Sequence, residues 1–340
     1  MRRFLTVFTC AAALLAGPAL AQDEAEIARM VAHPDFHVLP LDIGEDGKIR
    51  QTAKVTKSQT RAGKSQTVVL TSQATLDYRM EGEEFYVTRT LDTFDATSPD
   101  ASASNLAESR DAVTNALGGI KSVRYVTDDS LRPTRIEDWP TFKTNIYALF
   151  DQLMGANPSP EIKAKSHQIA DSLFGQLTAE SAAGLFLSNE TMLSIPRNIG
   201  LVLNEPLSAD GQIAVPIGNT VLDARETLTL SQWNEAAGTA HVTYDYAPTP
   251  ESLKAFVSDF LPRFLKSLDM PATARAEMDK QLAAGLSTSV MDMTTHCDFD
   301  VAIATGLVSA GTCVKTVAFQ FGGESQKKVE TFVFTETLAE

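Results

Sequence analysis

Two cysteines near the C-terminal end of the sequence are the residues whose type and spacing most directly suggest chemistry. Cys297 and Cys313 lie in the stretch HCDFDVAIATGLVSAGTCVK, which begins at His296. The pair could form a disulfide, hold a metal ion with neighbouring acidic residues, or supply a reactive thiol. Each of these three roles requires a different set of residues around the sulfur atoms.

A hairpin through this stretch predicts a disulfide. With a turn centred near Thr305, each cysteine lies eight positions from the turn, so the two would stand opposite each other. Side chains alternate between the two faces of a strand. Cys297 is therefore in phase with Phe299, and Cys313 with Phe319. We expect both cysteines to point to the apolar face of the hairpin and to be joined as a structural disulfide.

Metal binding and thiol catalysis are the alternatives for the cysteines. His296, Asp298 and Asp300 could join a thiolate as metal ligands, but the stretch contains neither a CxxC pair nor a second histidine. No residue close to either cysteine in the sequence offers a matched base for a nucleophilic thiolate. A second metal candidate, His33 with His37, has a proline between its members, which disfavours a common helical face. We therefore expect no metal and no cofactor.

The N-terminal sequence places the cysteines in an oxidising compartment. Arg2 and Arg3 precede the apolar run FLTVFTCAAALLAGPAL, and the small-residue sequence ALA comes just before Gln22. This order is typical of a secretory signal peptide. We expect removal of residues 1–21 and export of the chain, into the periplasm of a Gram-negative bacterium or to the outside of another cell. Disulfides form and persist in such compartments.

Charge and hydropathy argue against two classes of partner. The 340-residue chain has a formal net charge of −14, and loss of the two arginines of the signal peptide leaves −16. Nucleic-acid binding requires a basic face, and no cluster of Lys and Arg stands out, so we expect no nucleic-acid partner. After the signal peptide no stretch reaches the roughly 18 consecutive apolar residues of a membrane helix. We therefore expect no membrane span in the mature chain.

Hydrophobic periodicity predicts alternating blocks of strands and helices around the cysteine hairpin. Alternating apolar residues predict a long strand over 65–78 and a strand-rich stretch from about 185 to 246. Apolar residues at helical spacing predict a helix over 142–154, followed by a weaker helix over 162–174. Three further strands, which include the cysteine hairpin, are expected to close the chain.

A second pair of predicted helices, 250–268 and 275–286, follows a strand roughly 115 residues after the first pair. Long antiparallel strands with helices in runs are typical of an α+β fold. We expect a twisted, curved antiparallel sheet with two helical hairpins packed on it. We assign residues 22–340 to one large domain. The alternative, which an internal duplication would produce, is two similar halves of about 36–185 and 186–340.

The helix predicted over 250–268 carries the candidate ligand-binding surface. Its apolar residues form a face wider than contact with one sheet requires, and Pro262 removes a backbone donor that would otherwise hold the helix straight. A kink there would open space between the helix and the sheet. The candidate ligand-facing residues are Leu253, Phe256, Val257, Phe260, Leu261, Phe264 and Leu265.

The sequence contains no convincing catalytic motif, which favours a binding protein over an enzyme. It lacks the G-x-S-x-G, H-E-x-x-H and phosphate-binding loop patterns. Our hypothesis is a non-enzymatic envelope protein that binds a hydrophobic small molecule, a lipid or an envelope partner. One alternative is a hydrolase in which His167 or His241 meets a serine and a carboxylate from distant parts of the sequence. The other is a structural or interaction protein without a small-molecule ligand.

Overall fold

The computed structural model describes residues 24–61, 63–99, 121–153, 159–215, 220–267, 290–321 and 324–339. The predicted signal peptide over 1–21 and the predicted helix over 275–286 lie outside these ranges. The described strands are β1 (Phe36–Leu39), β2 (Asp46–Arg61), β3 (Lys64–Glu81), β4 (Glu84–Thr97), β5 (Ser122–Thr127), β6 (Pro133–Ile136), β7 (Ile199–Val202), β8 (Pro206–Val215), β9 (Thr220–Asn234), β10 (Thr239–Pro248), β11 (Val290–Ala302), β12 (Val308–Phe321) and β13 (Glu324–Ala339). The described helices are α1 (Glu24–Val31), α2 (Trp139–Leu153), α3 (Pro160–Phe174), α4 (Ala179–Phe186), α5 (Ser188–Ser194) and α6 (Pro250–Ser267).

One antiparallel sheet contains eleven of these strands, in the order β6-β5-β4-β3-β2-β13-β12-β11-β10-β9-β8. The first half of the chain builds outward from β2 to one edge, and the second half returns from the other edge to β13. The two halves meet where β13 pairs with β2, for example at Glu336 and Gln51. A separate two-stranded sheet joins β1 to β7. The α+β prediction is confirmed, whereas the duplication and the division into halves stay predictions.

Alternation along the long strands divides the large sheet into two faces. On β3, the buried side chains of Ala74, Leu76 and Tyr78 alternate with more exposed ones. We call the face that carries them the inner face and the opposite one the outer face. A first hydrophobic cluster joins the inner face of β2–β6 to α2 and α4. A second cluster joins β9–β13 to α5, β1 and β7.

The predicted strand-rich stretch begins later than the sequence analysis expected. The helices α4 and α5 occupy the chain up to Ser194, and the first strand after them starts at Ile199. Thr178 starts α4, because its hydroxyl accepts a hydrogen bond from the backbone of Ser181 while the Ser181 hydroxyl accepts one from the backbone of Thr178. Such reciprocal capping satisfies backbone donors that would otherwise be lost at the helix start. The cap therefore explains where α4 begins, and α5 follows α4 directly in the chain.

The hairpin of β11 and β12 contains both cysteines. Cys297 is the direct register partner of Cys313, and their sulfur atoms are 2.06 Å apart, in a disulfide. Both side chains are fully buried on the inner face, within the second hydrophobic cluster. The bridge therefore joins two neighbouring strands in the interior of the protein.

The turn of this hairpin approaches another segment so closely that only glycine fits. Gly306 has a φ of +72°, and a Cβ atom there would lie 2.3 Å from the carbonyl oxygen of Pro40. Since that oxygen belongs to the backbone between β1 and β2, a side chain would displace the segment. We expect Gly306→Ala to lower the free energy of unfolding by about 2–4 kcal/mol. The loss has two causes, the strain of a left-handed backbone at a residue with a side chain and the steric clash of the new methyl group with the Pro40 carbonyl.

Gly238→Ala is the matched control for Gly306→Ala. Gly238 has a similar φ of +66°, but no atom lies within 4 Å of its Cβ position. Its substitution should therefore cost only the backbone term, about 1–2 kcal/mol. Urea unfolding of the two variants measures the difference between them. Equal losses of stability would contradict the close approach of the hairpin turn to Pro40.

Candidate functional site

A row of polar side chains crosses the inner face next to the disulfide. Lys57 on β2, Glu330 on β13 and Lys315 on β12 are successive register partners. The same row continues across the next three strands of the sheet. Lys315 lies two residues from Cys313, and side chains two apart share a face. We define the polar row as Lys57, Glu330, Lys315, Thr295, Tyr246 and Glu226.

Three lysines and one glutamate form a charged cluster within and beside the polar row. Oε1 of Glu330 lies 3.3 Å from Nζ of Lys57 and 2.8 Å from Nζ of Lys328. Glu330 is mostly buried, with 12% of its side chain exposed. Lys315, opposite Glu330, is also mostly buried, and its ammonium forms no ion pair within the described ranges. The cluster of these four side chains therefore carries a net positive charge.

Burial and neighbouring charges shift the protonation of this cluster in opposite directions. Burial lowers the pKa of Lys315; the charge of Glu330 raises it, while those of Lys328 and Lys57 lower it further. Burial raises the pKa of Glu330, but the hydrogen bond from Lys328 and the charge of Lys57 outweigh it, so this pKa lies below its ordinary value. An ion-paired glutamate thus faces a lysine whose charged form is disfavoured.

An apolar patch lies on the inner face, on the side of the polar row away from the disulfide. Met293 is the register partner of Val317, and Met291 is the partner of Phe319. We call these four residues the apolar patch. Each is partly buried, and none belongs to either hydrophobic cluster of the described residues. The patch therefore extends the apolar inner face beyond the packed core.

The helix α6 begins close to this part of the sheet. It starts two residues after β10 ends, and it contacts both β9 and β11. The backbone N–H of Asp223 on β9 donates a hydrogen bond to Oγ of Ser252, with an N···O distance of 2.8 Å. This bond ties the first turn of α6 to β9. The helix then extends past Pro262 to Ser267.

Three of the candidate ligand-facing side chains fall within the described part of α6. Leu253 is buried, with 2% exposure, and Phe256 and Val257 are partly buried. The side chains of Phe260, Leu261, Phe264 and Leu265 lie outside the described residues. The ligand-facing role of all seven residues stays a prediction.

The histidines do not form the hydrolase arrangement in the described part of the chain. The rings of His167, His241 and His296 each share a hydrogen bond with an aspartate, at 2.7–2.8 Å. Within those ranges no serine hydroxyl is hydrogen-bonded to any of the three rings. The aspartate Asp245 raises the pKa of His296 through its hydrogen bond. These are aspartate–histidine pairs without a nucleophile.

Neither candidate metal site is assembled among the described residues, where no group of three or more His, Cys, Asp or Glu side chains could hold a metal ion. The ring of His37 stacks on Trp233, with 4.3 Å between ring centroids, while His33 accepts a hydrogen bond from a nearby backbone N–H. Asp298 is adjacent to Cys297 on β11, so it points to the opposite face of the sheet. It therefore cannot share a metal ion with the buried sulfur.

Two of the cavities in the described part of the chain lie elsewhere on the molecule. The larger, of about 350 Å³, is on the outer face over β13, β2, β3 and β4, and most of its lining side chains are polar, among them Thr52, Lys54 and Gln73. The smaller, of about 10 Å³, is bordered by Arg89 and Glu190, and it has room for about one water molecule. Neither matches the apolar cavity expected for a hydrophobic ligand.

Sequence reasoning missed the most deeply buried charges. Arg197 and Glu336 form an ion pair, with 2% and 0% of their side chains exposed. Oε1 of Glu336 also accepts a hydrogen bond from Nε2 of Gln51 at 3.0 Å, and Oε2 accepts one from the backbone N–H of Val308 at 3.1 Å. The sequence did contain one indication of this burial. Glu336 lies two residues from the buried Phe334 on β13, so both side chains point to the same face of the strand. Lys315, two residues from Cys313, carried the same signal in β12.

Comparison with known proteins identifies no family. No family model matches the chain, and no curated protein matches it. Among solved structures, lipovitellin aligns with 86% of this chain at 8% identity and a TM-score of 0.40. OpdQ of Pseudomonas aeruginosa aligns with 88% of this chain and 100% of its own, at 5% identity and a TM-score of 0.27. The alignment covers only 26% of the lipovitellin chain. Both TM-scores are too low to support an inference about fold or function.

Proposed function

We propose that this chain is an exported, non-enzymatic binding protein that holds a hydrophobic ligand on the inner face of its large sheet. The observation that carries the proposal is the apolar patch, whose four partly buried side chains continue the core face past the two hydrophobic clusters of the described residues. Contiguous apolar surface outside a core is typical of binding sites. The ligand would cover this surface.

The helix α6 would form a second wall of the site, facing the sheet. The helix starts at the end of β10, and β11, which it contacts, carries Met291 and Met293. Its apolar residues recur at helical spacing, and Phe256 and Val257 are only partly buried. Methionine side chains are flexible and suit a surface that must adapt to a ligand. The candidate residues of α6 and the patch would then enclose one ligand from two sides.

Export is the second part of the proposal. The N-terminal pattern supports cleavage after Ala21, and the Cys297–Cys313 pair suits an oxidising compartment. The compartment is the periplasm if the source is a Gram-negative bacterium and the extracellular space otherwise.

Native mass spectrometry of protein recovered from the cell envelope tests both parts. We expect the mass of a polypeptide that begins at Gln22. We also expect the added mass of a bound molecule, which organic solvent should release. The emptied protein should bind a neutral hydrophobic fluorescent probe. We expect Val317→Asp to weaken probe binding at least about tenfold, because a carboxylate in the patch must be desolvated when the probe binds.

Val333→Asp is the matched control for Val317→Asp. Val333 also lies on a central strand, but it is 42% exposed and borders the outer cavity. The Val333→Asp variant should therefore bind the probe as tightly as wild type does. A protein that carries no bound molecule and binds no probe would contradict the proposal and favour a structural or interaction role. Loss of binding only in Val333→Asp would move the site to the outer cavity.

A further inference from the structure

We propose that the ligand is an anionic amphiphile, with its acidic headgroup bound by Lys315 and its hydrocarbon chain on the apolar patch. The inference rests on the proposed function, since it names the chemical class of ligand for that same site. The headgroup is a carboxylate or a phosphate, because either supplies the oxygen acceptors that an ammonium group binds.

The cluster of Lys57, Lys315, Lys328 and Glu330 has a charge opposite to that of the chain. The protein has a formal net charge of −14, yet three lysines surround a single glutamate here. Lys57 and Lys328 both lie within ion-pair distance of Oε1 of Glu330. Lys315 is left without a carboxylate partner within the described ranges. Hence this cluster has two more cations than anions, and within the described ranges Lys315 is the lysine that lies outside its ion pairs.

A mostly buried ammonium group without an ion pair of its own is unfavourable. Burial removes water from Lys315. Glu330 attracts its charge, but that carboxylate already pairs with Lys57 and Lys328, and both of these lysines repel Lys315. An anion at this position would replace the missing water with charge-assisted hydrogen bonds. A neutral ligand would form no charge-assisted hydrogen bond with Lys315, so it would bind less tightly than an anionic ligand of the same length. Charge complementarity therefore specifies an anionic ligand.

Neighbouring residues of the row can complete the headgroup site. Thr295 is the direct register partner of Lys315, so their Cβ atoms are about 4.5–5.5 Å apart. Tyr246 follows on the next strand. Burial and the carboxylate of Glu226 raise the pKa of Tyr246 to about 12, which keeps its hydroxyl protonated and able to donate. Thr295 is thus the direct neighbour of Lys315 in the row, and Tyr246 lies one strand further, between Thr295 and Glu226.

The apolar patch starts immediately beyond this headgroup position. Val317 and Phe319 follow Lys315 at every second residue of β12, with Met293 and Met291 opposite them on β11. At about 3.3 Å per residue, the distance from Lys315 to Phe319 along the strand is about 13 Å. A polar end followed by an apolar length of this kind matches an acyl chain with one acidic group.

Calorimetric titration of the emptied mature protein tests the inference. The probes are dodecanoate, dodecanol and inorganic phosphate, with the two amphiphiles kept below their aggregation concentrations. We expect wild type to bind dodecanoate at least about tenfold more tightly than dodecanol, which corresponds to about 1.4 kcal/mol. Lys315→Met keeps the length of the side chain and removes its charge. It should weaken dodecanoate binding about tenfold and leave dodecanol binding unchanged.

Two further variants control for folding and for charge. Lys315→Arg retains the cation and should retain the preference for dodecanoate. Lys48→Met removes an exposed lysine from the outer side of β2, where it pairs with Asp77, and should change neither affinity.

Each outcome separates the inference from the proposed function. Equal binding of dodecanoate and dodecanol by wild type, unchanged in Lys315→Met, would overturn the anionic headgroup but leave the hydrophobic site intact. Binding of neither amphiphile would overturn the proposed function itself. Phosphate binding as tight as dodecanoate binding, lost in Lys315→Met, would show an anion site that does not use the apolar patch.

Discussion

Replacing Glu336 by leucine should lower the free energy of unfolding by about 3–5 kcal/mol, the range for breaking a buried ion pair by removal of one partner. Glu336 is fully buried and pairs with Arg197, whose guanidinium is also buried. Loss of the carboxylate leaves that cation uncompensated. It also removes the acceptor for Gln51 and for the backbone N–H of Val308. Urea unfolding measures the loss, and Glu336→Gln offers a milder variant if the leucine variant fails to fold.

The double variant Arg197→Met/Glu336→Leu identifies the cause of that loss. If the unpaired cation is responsible, its removal should restore much of the stability, because an apolar pair can replace a buried ion pair at little cost. Asp77→Asn is the surface control, since it breaks the exposed pair with Lys48 and should cost at most about 1 kcal/mol. A loss for Glu336→Leu as small as that of the control would contradict the expected cost of leaving the buried Arg197 unpaired.

Removal of the disulfide should lower the free energy of unfolding by about 2–5 kcal/mol. The double variant Cys297→Ala/Cys313→Ala opens a loop of 15 intervening residues, for which the chain-entropy model gives about 3 kcal/mol. The two alanines also leave small gaps in the second hydrophobic cluster. Urea unfolding of oxidised wild type, reduced wild type and the double variant separates the bridge from the packing change.

The same double variant tests whether the cysteines have a role in binding. The polar row and the apolar patch lie at other positions along β11 and β12, so binding of a hydrophobic probe should persist at low temperature. Two titratable thiols in the native oxidised protein would contradict the bridge. Loss of probe binding with unchanged stability would assign the cysteines to the site itself.

Several features of the fold follow from local sequence. The strand predicted over 65–78 lies within β3, and the helix predicted over 142–154 corresponds closely to α2. Phase counting in the cysteine hairpin placed both sulfur atoms on the buried face, where Cys297 and Cys313 are register partners. These predictions depend only on residues a few positions apart, and side-chain periodicity is set at that range. The capped helix α4 was missed because a threonine–serine cap is a weaker sequence signal than a threonine–glutamate cap.

The candidate site, in contrast, depends on pairing between distant strands. Lys57 and Glu330 lie near opposite ends of the sequence, and they meet only because β2 pairs with β13 at the centre of the sheet. Each looks like an ordinary surface charge in its own strand. The register of three strands decides that Lys315 faces Glu330 and Thr295 in one row. No local pattern contains this information.

The sequence by itself determined the acidic composition, the pattern of an exported chain, the cysteine hairpin and the periods of the main strands and helices. The tertiary structure alone decided the strand order, the pairing of β2 with β13, the buried Arg197–Glu336 pair and the position of the polar row beside the apolar patch. The physical reason is that backbone hydrogen bonds in a sheet are nearly independent of side-chain identity. Which strands become neighbours therefore depends on how much apolar surface the whole face of the sheet buries. That buried area is defined only once all the strands and helices are packed together.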